Sequence, residues 1–233
     1  MRGLFVVGTG TGVGKTIVSA GLAWALRRRK IDVGVMKPFA TSSRIFSDKY
    51  RSADVAMLAR AAHAKEEDVE LNPVFYKKAA APLVAAELTS QPPPVLEQVL
   101  RSLKKLASKH EFTIVEGIGG VLVPLTHHQF VADFAQGSEL PLLIVTTPVL
   151  GTMNHTLLTV EACRKRRLQM AGLVVNMMPK NPSPVEKSTP DFLAKLAKLP
   201  VLGTIPLLTS PNYLAAGKAI EASVDIEALI SLH

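Results

Sequence analysis

The sequence predicts an α/β fold: a mostly parallel central sheet flanked by helices on both faces, built as a single domain over residues 1–233. Three observations lead there. Apolar runs of four to seven residues alternate with longer amphipathic stretches, the order expected when buried parallel strands are joined by crossover helices. Several of these runs end in polar residues, and an open α/β sheet gathers its ligands outside the carboxyl ends of its strands. The first run passes directly into GTGTGVGKT, Gly8 to Thr16, a glycine-rich loop that opens a helix.

Taken in order, strands are predicted over residues 4–7, 33–37, 112–116, 142–146, 171–176 and 201–205. Helices are predicted over 15–29, 53–62, 83–88, 95–108, 131–136, 154–166, 185–196, 213–219 and 226–232. The first helix starts at Lys15 and runs into Arg27, Arg28, Arg29 and Lys30, cations that offset the dipole at its carboxyl end. The second strand, VGVMK, is stopped by Pro38, which cannot continue a ladder. Asp54 stands in the first turn of the next helix, SADVAMLAR. Gln91 to Pro94 is a stiff connection before helix 95–108, too short to be a linker. The third strand, FTIVE, is closed by Gly117, Ile118, Gly119 and Gly120. Residues 41–91 exceed a minimal crossover, and insertions of this kind commonly carry substrate-binding groups. No internal repeat is present.

A 25.0 kDa chain of 233 residues, 48% hydrophobic and 20% charged, is large enough to bury a real core. No apolar run approaches the ~18 residues of a membrane span, and the first strand runs straight into the loop, so a soluble, unprocessed, cytoplasmic protein is expected. One cysteine, Cys163, permits no intramolecular disulfide and no thiolate cluster. With no base beside it, nucleophilic catalysis is not expected of it. The net charge of +8 sits mostly at Arg27–Lys30, at Lys104, Lys105 and Lys109, and at Arg164, Lys165, Arg166 and Arg167, each near the end of a predicted helix. Solvated helix ends account for it better than a nucleic-acid face, because no aromatic residues are interleaved. His127, His128 and His155 lack further ligands at metal-binding spacing and read as surface or structural residues.

The loop carries the chemistry. Gly8, Gly10, Gly12 and Gly14 let backbone N–H groups approach an anion, and Lys15 with Thr16 opens a helix whose amino end is electropositive. A nucleoside triphosphate fits: Lys15 would reach the β- and γ-phosphates, and the Thr16 hydroxyl would bind Mg²⁺. This makes the fold expectation a phosphate-loop (P-loop) NTPase-like one. Magnesium also needs hard oxygen donors, for which Glu116 and Asp54 are the candidates. Asp54 reads equally well as a simple first-turn acid. Glu116 closes an apolar strand and needs a partner if buried. Lys37 ends the second strand and would point into the cleft that holds Lys15. Two ammonium groups there suggest an anion beyond the nucleotide, such as a carboxylate or carbamate being phosphorylated; the alternative is a lysine snorkelling from a strand end.

Together these residues resemble the dethiobiotin synthetase family. Its loop has five residues between the first glycine and Gly-Lys-Thr, and Gly8-(x5)-Gly14-Lys15-Thr16 matches it. MKPFATS is similar to that family's Lys-Pro segment, APLVAAEL to its Ser-Pro-x-x-Ala-Ala stretch, EGIGGVLVPL to its Glu-Gly-x-Gly-Gly block and LGTMNHTLLT to its Leu-Gly-x-x-Asn-His segment. LVVNMM and VLGTIPLL complete a likeness that covers nearly the whole chain.

The resemblance implies an ATP-dependent cyclo-ligase of biotin biosynthesis that closes 7,8-diaminopelargonate with CO₂ or bicarbonate into a cyclic urea. It implies that Gly12, Val13, Gly14, Lys15 and Thr16 wrap the phosphates of ATP and that Thr16, Asp54 and Glu116 surround Mg²⁺, with Glu116 also at the nucleotide. Lys15 and Lys37 would flank the reacting centre, Thr11, Lys37 and Thr41 would contact the diamine, and Asn176 would read the adenine. It further implies a homodimer in which Gly151, Thr152, Met153 and Asn154 of the partner subunit hold the substrate carboxylate, with no nucleic acid or membrane involved. Departures from the pattern are Thr41-Ser42 for Ser-Gly, Ala81 for the serine before Pro82, and Val149 where a polar or basic residue is expected. Two rivals share the core. A partition-type ATPase would need a lysine where Gly10 stands, and an amide synthase of the cobyrinate type would need a glutamine-hydrolysing domain with its own cysteine. Other ATP-dependent ligases that activate carboxylates on the same fold belong with the second.

Overall fold

Leu4 and Val6 of the first strand face one side of the sheet and Phe5 and Val7 the other, and all four are buried. Burial on both sides explains why the strands read as unbroken apolar runs rather than alternating ones. The computed structural model describes residues 1–232; His233, the last residue of the predicted domain, lies outside the described residues. The chain begins β1 (Gly3–Gly8), α1 (Lys15–Arg28), β2 (Val33–Met36), β3 (Phe39–Thr41), α2 (Ala53–Ala62), α3 (Asp68–Leu71) and β4 (Val74–Tyr76). It continues through α4 (Pro82–Leu88), α5 (Leu96–Ala107), β5 (Phe112–Gly120), α6 (Val131–Ser138) and β6 (Leu142–Thr146). It ends with α7 (Thr152–Lys165), β7 (Met170–Met178), α8 (Pro184–Ala197), β8 (Val201–Pro206), α9 (Tyr213–Ser223) and α10 (Ile226–Ile230).

Six strands form the central sheet in the order β2-β5-β1-β6-β7-β8, and every one of these pairings is parallel. α1, α2, α9 and α10 cover one face, packing Val18, Leu22, Val55, Ile220 and Leu229 against the Leu4 side. α5, α6, α7 and α8 cover the other, where Leu103, Phe134, Val160 and Leu193 meet the Phe5 side. The expected two-faced α/β architecture is therefore present. β1 lies between β5 and β6, so the carboxyl ends of those strands meet around the glycine-rich loop.

Three elements were not foreseen: β3 and β4, which pair in parallel as a separate two-stranded sheet, and the single-turn helix α3. All lie between residues 39 and 76, and three-residue strands are too short to leave a periodic signal. The second strand stops at Met36, one residue before the predicted end. Lys37 leaves the ladder because its N–H is taken by the Leu71 carbonyl at 2.8 Å. β5 extends four residues beyond Glu116, since its glycines continue alongside β1 to a Gly8–Gly120 pair. α7 starts two residues earlier than expected, at Thr152, because Gly151 caps it in the left-handed region at φ 95°.

Candidate active site

Gly12 and Gly14 hold φ values of 81° and 86°, in the left-handed region that glycine enters at least cost. Gly14 is required twice, since a Cβ there would stand 2.0 Å from Asn176 Nδ2. Added carbons at Gly10 or Gly12 would meet nothing within 4 Å, so the loop's outer face is open. Lys15 folds back over the loop and donates to the Gly10 carbonyl at 2.9 Å. Burial, reinforced by the nearby Lys37 charge and opposed by Glu116 and Asp54, lowers its pKa to about 8. An anion beside the Lys15 ammonium would favour its charged form.

Opposite the loop stands a compact charged cluster. Lys37 Nζ donates to Asp54 Oδ2 at 2.5 Å and to Glu116 Oε1 at 2.6 Å, and Thr16 Oγ1 donates to the same Glu116 oxygen at 2.8 Å. Glu116 has no exposed surface, and its other oxygen, Oε2, is buried without a hydrogen-bond partner. Burial works against the Lys37 charge, but Glu116 and Asp54 outweigh it and raise the lysine's pKa. Burial likewise works against the Asp54 carboxylate, and Lys37 outweighs it, lowering that pKa. The cluster thus gathers two carboxylates around one ammonium, which holds the Asp54 carboxyl below the usual carboxylate range.

These groups line a cavity of about 630 Å³, together with Thr11, Gly12, Gly14 and Thr41. Ser52 also faces it, and Ala40, Ala79, Ala80, Ala81, Ile118 and Val123 supply an apolar wall. The wall was not anticipated as such: Ala40, Ala81, Ile118 and Val123 lie in the segments MKPFATS, APLVAAEL and EGIGGVLVPL, but apolar side chains there carry no sign that they face a cavity.

The remaining predicted residues stand elsewhere. Val13 packs against the core, and Asn176, 2% exposed, donates to the Val13 carbonyl at 3.0 Å beneath the loop. Gly151, Thr152, Met153 and Asn154 form the start of α7 after the neighbouring strand and do not line the cavity. The Thr152 hydroxyl lies 2.7 Å from Thr146 in a buried set with Thr156. Gly151 and Asn154 are exposed and Met153 is half-buried. Cys163 is buried, which pushes its thiol up to about 11, against the pull of Arg166.

Hydroxyl and carboxylate oxygens from Thr16, Asp54 and Glu116 are donors suited to a hard divalent cation. No group of three His, Cys, Asp or Glu side chains suited to a metal exists among the described residues. Any cation here would therefore need further oxygens from a ligand or water. No helix among the described residues is long and apolar enough to cross a membrane.

An AAA domain family model matches residues 2–212. Solved structures share the fold at low identity. The cell division ATPase MinD of Pyrococcus furiosus matches with a TM-score of 0.52 at 18% identity, over 95% of this chain and 99% of that one. A ParA family ATPase of Chlorobium tepidum matches with a TM-score of 0.56 at 16%, over 100% and 98%. The sequence relatives are nearer. The ATP-dependent dethiobiotin synthetase BioD of Nitrosopumilus maritimus is 34% identical over 99% of this chain and all of its own length. Its namesake in Bacillus velezensis is 37% identical over 100% of this chain and 98% of its own. Relatives matched end to end at this level identify more than a shared loop: the chain belongs to the ATP-dependent dethiobiotin synthetase family.

Proposed function

We propose that the protein, acting as one domain, closes 7,8-diaminopelargonate with CO₂ and ATP to dethiobiotin, a cyclic urea, releasing ADP and phosphate. The observation that carries this reading is the pairing, in one cavity, of a phosphate loop with a second buried lysine and an apolar wall. The loop suits the triphosphate, the wall suits an aliphatic chain, and the lysines suit an oxyanion formed between them.

One amine of the substrate adds to CO₂, losing a proton to give a carbamate. A carbamate oxygen then attacks the γ-phosphorus and ADP leaves. The second amine attacks the carbon of the resulting carbamic-phosphoric anhydride and expels phosphate, and the proton this amine loses leaves with the phosphate as the ring closes. Negative charge on oxygen is built or moved throughout, so Lys15 and Lys37 act by positioning and electrostatic stabilisation, and no protein nucleophile is used. Thr11 and Thr41 offer hydroxyls to the diamine. Gly12, Val13, Gly14 and Thr16 hold the phosphates by backbone N–H groups and the helix amino end.

Mg²⁺ fits the donor set, and the unpartnered Oε2 of Glu116 is the observation that favours it. Thr16, Asp54 and Glu116 would hold it, and when bound it would neutralise phosphate charge. Asn176, already beneath the loop, is assigned the adenine. A homodimer in which Gly151, Thr152, Met153 and Asn154 of one copy receive the substrate carboxylate of the other accounts for an exposed helix amino end outside the cavity. A cytoplasmic location suits such an enzyme.

The test is incubation with ATP, Mg²⁺ and bicarbonate, with and without 7,8-diaminopelargonate. Phosphate and dethiobiotin are expected together and only with the diamine. ATP turnover indifferent to the diamine would overturn the assignment.

A further inference from the structure

We infer that Asn72, backed by the Arg51–Asp68 ion pair, is a positioning residue that sets where the Lys37 ammonium stands; the inference rests on the reaction proposed above. Lys37 follows the last residue of β2 and so has no ladder partner on β5. Its backbone is held instead from the α3–β4 segment. Lys37 N donates to the Leu71 carbonyl at 2.8 Å, and the Lys37 carbonyl accepts from Asn72 Nδ2 at 2.8 Å. The same amide nitrogen donates to the Val74 carbonyl at 3.0 Å, so two carbonyls fix which end of the amide faces them. Asn72 is wholly buried, and its Oδ1 has no partner. A bare buried acceptor is a cost to the fold, offset here only by what the two N–H groups hold.

Behind Asn72 the frame continues. Its N–H donates to the Asp68 carbonyl at 2.7 Å, and its own carbonyl accepts from Arg51 Nη2. The Asp68 carboxylate accepts from Arg51 Nε and, at 3.3 Å, from the Arg51 backbone N–H. Arg51 precedes Ser52, the N-cap residue of α2, and Asp54 is the second residue of that helix. One frame therefore holds both ends of the Lys37–Asp54 pair, Lys37 through Asn72 and Asp54 through Arg51.

The test is Asn72→Ala, beside Leu103→Ala, a buried truncation in α5 that controls for lost stability. Misplacing a reacting group by about 1 Å can cost on the order of 10²-fold in rate. Asn72→Ala is expected to lose kcat on that order while its Kd for ATP stays near the wild-type value and Leu103→Ala keeps its kcat. Undiminished kcat in Asn72→Ala, or a kcat loss matched by lost ATP affinity, overturns the inference, as does an equal loss in Leu103→Ala. Should Asn72→Ala not fold, Arg51→Gln loosens the frame from its solvent side. Reduced kcat at unchanged ATP affinity supports the frame, and wild-type kcat overturns it. A wild-type protein that makes no dethiobiotin counts against the reaction alone. The crystal structure of the variant then decides the frame: Lys37 Nζ displaced from Glu116 and Asp54 supports it, and Nζ still in contact with both overturns it.

Discussion

Replacing Lys37 by glutamine removes a charge while keeping a side chain that can donate to Glu116. The Lys15 side of the loop is untouched, so ATP affinity should change little. Turnover should fall by roughly 10²-fold or more, because a donor aimed at developing oxyanion charge is lost. Calorimetric titration with ATP beside product measurement by mass spectrometry checks both halves; near-normal turnover would remove Lys37 from the mechanism. Stability should fall as well, since Glu116 is fully buried and loses its counter-charge. Asp54 offers a pH test on the ligand-free protein. Its folded pKa lies below the usual aspartate value of about 3.9, so its contribution is complete above that value and is lost as pH falls through the lowered one. Asp54→Asn should therefore be less stable than wild type near neutrality, with the gap closing in acid. Denaturant midpoints measured across the acid range check this, and a gap that widens in acid would contradict it. At this scale the sequence was informative where residue type and chemistry coincide. Gly14, Lys15 and Thr16 announce themselves by spacing, and Glu116 by ending an apolar run. Asn72 did not, because its role depends on a backbone carbonyl 35 residues away.

Elements were legible in proportion to their length. Strands buried on both faces produced runs that pattern reading can find, and α5, with Leu96, Val99, Leu103 and Leu106 buried along one face, carried an amphipathic stripe. β3 and β4 escaped because they are held by pairing with one another rather than by their own propensities, and α3 because a single turn, closed locally by the Glu67 N–H donating to the Glu70 carboxylate, leaves no periodic stripe. The start of α7 escaped because a glycine cap outweighed the signal of Asn154. One element contact carries a prediction. α1 begins with Lys15 and Thr16 and packs closely on α9, where a Cβ at Gly21 would meet Ile220 Cγ1 at 2.5 Å and the Ala216 carbonyl at 2.8 Å. The second neighbour is backbone and cannot swing aside. Gly21→Ala should lose roughly 1–3 kcal/mol despite alanine's better helix propensity. Thermal unfolding measures the loss, and a stabilised variant would show that α9 yields.

Charge and shape at the level of the whole molecule separate what is compensated from what is not. The +8 surplus sits partly at helix ends, with Arg27 and Arg28 closing α1, Lys104 and Lys105 closing α5, and Arg164 and Lys165 closing α7. Several cations are also paired: Arg28 and Arg29 reach Glu221, and Arg166 lies over Phe130. Apolar exposure near α7 has no such compensation. Leu150 is 98% exposed, and Val149, on one side, and Leu158, on the next turns of α7, are more than half exposed. Isolated exposed apolar residues are ordinary, but Val149 and Leu150 just before α7, with Leu158 two turns into it, offer a surface that a second copy can cover. The position matters because the proposed carboxylate subsite, Gly151 to Asn154, follows directly. If this surface is the dimer contact, Leu150→Asp places a charge in it and should give a monomer in sedimentation. ATP binding should persist, because the loop and its cavity lie within one chain, while the KM for the diamine should rise. A wild-type protein that sediments as a monomer and still forms dethiobiotin would show that one chain supplies the whole site. A variant that remains dimeric with wild-type KM would move the contact to another face.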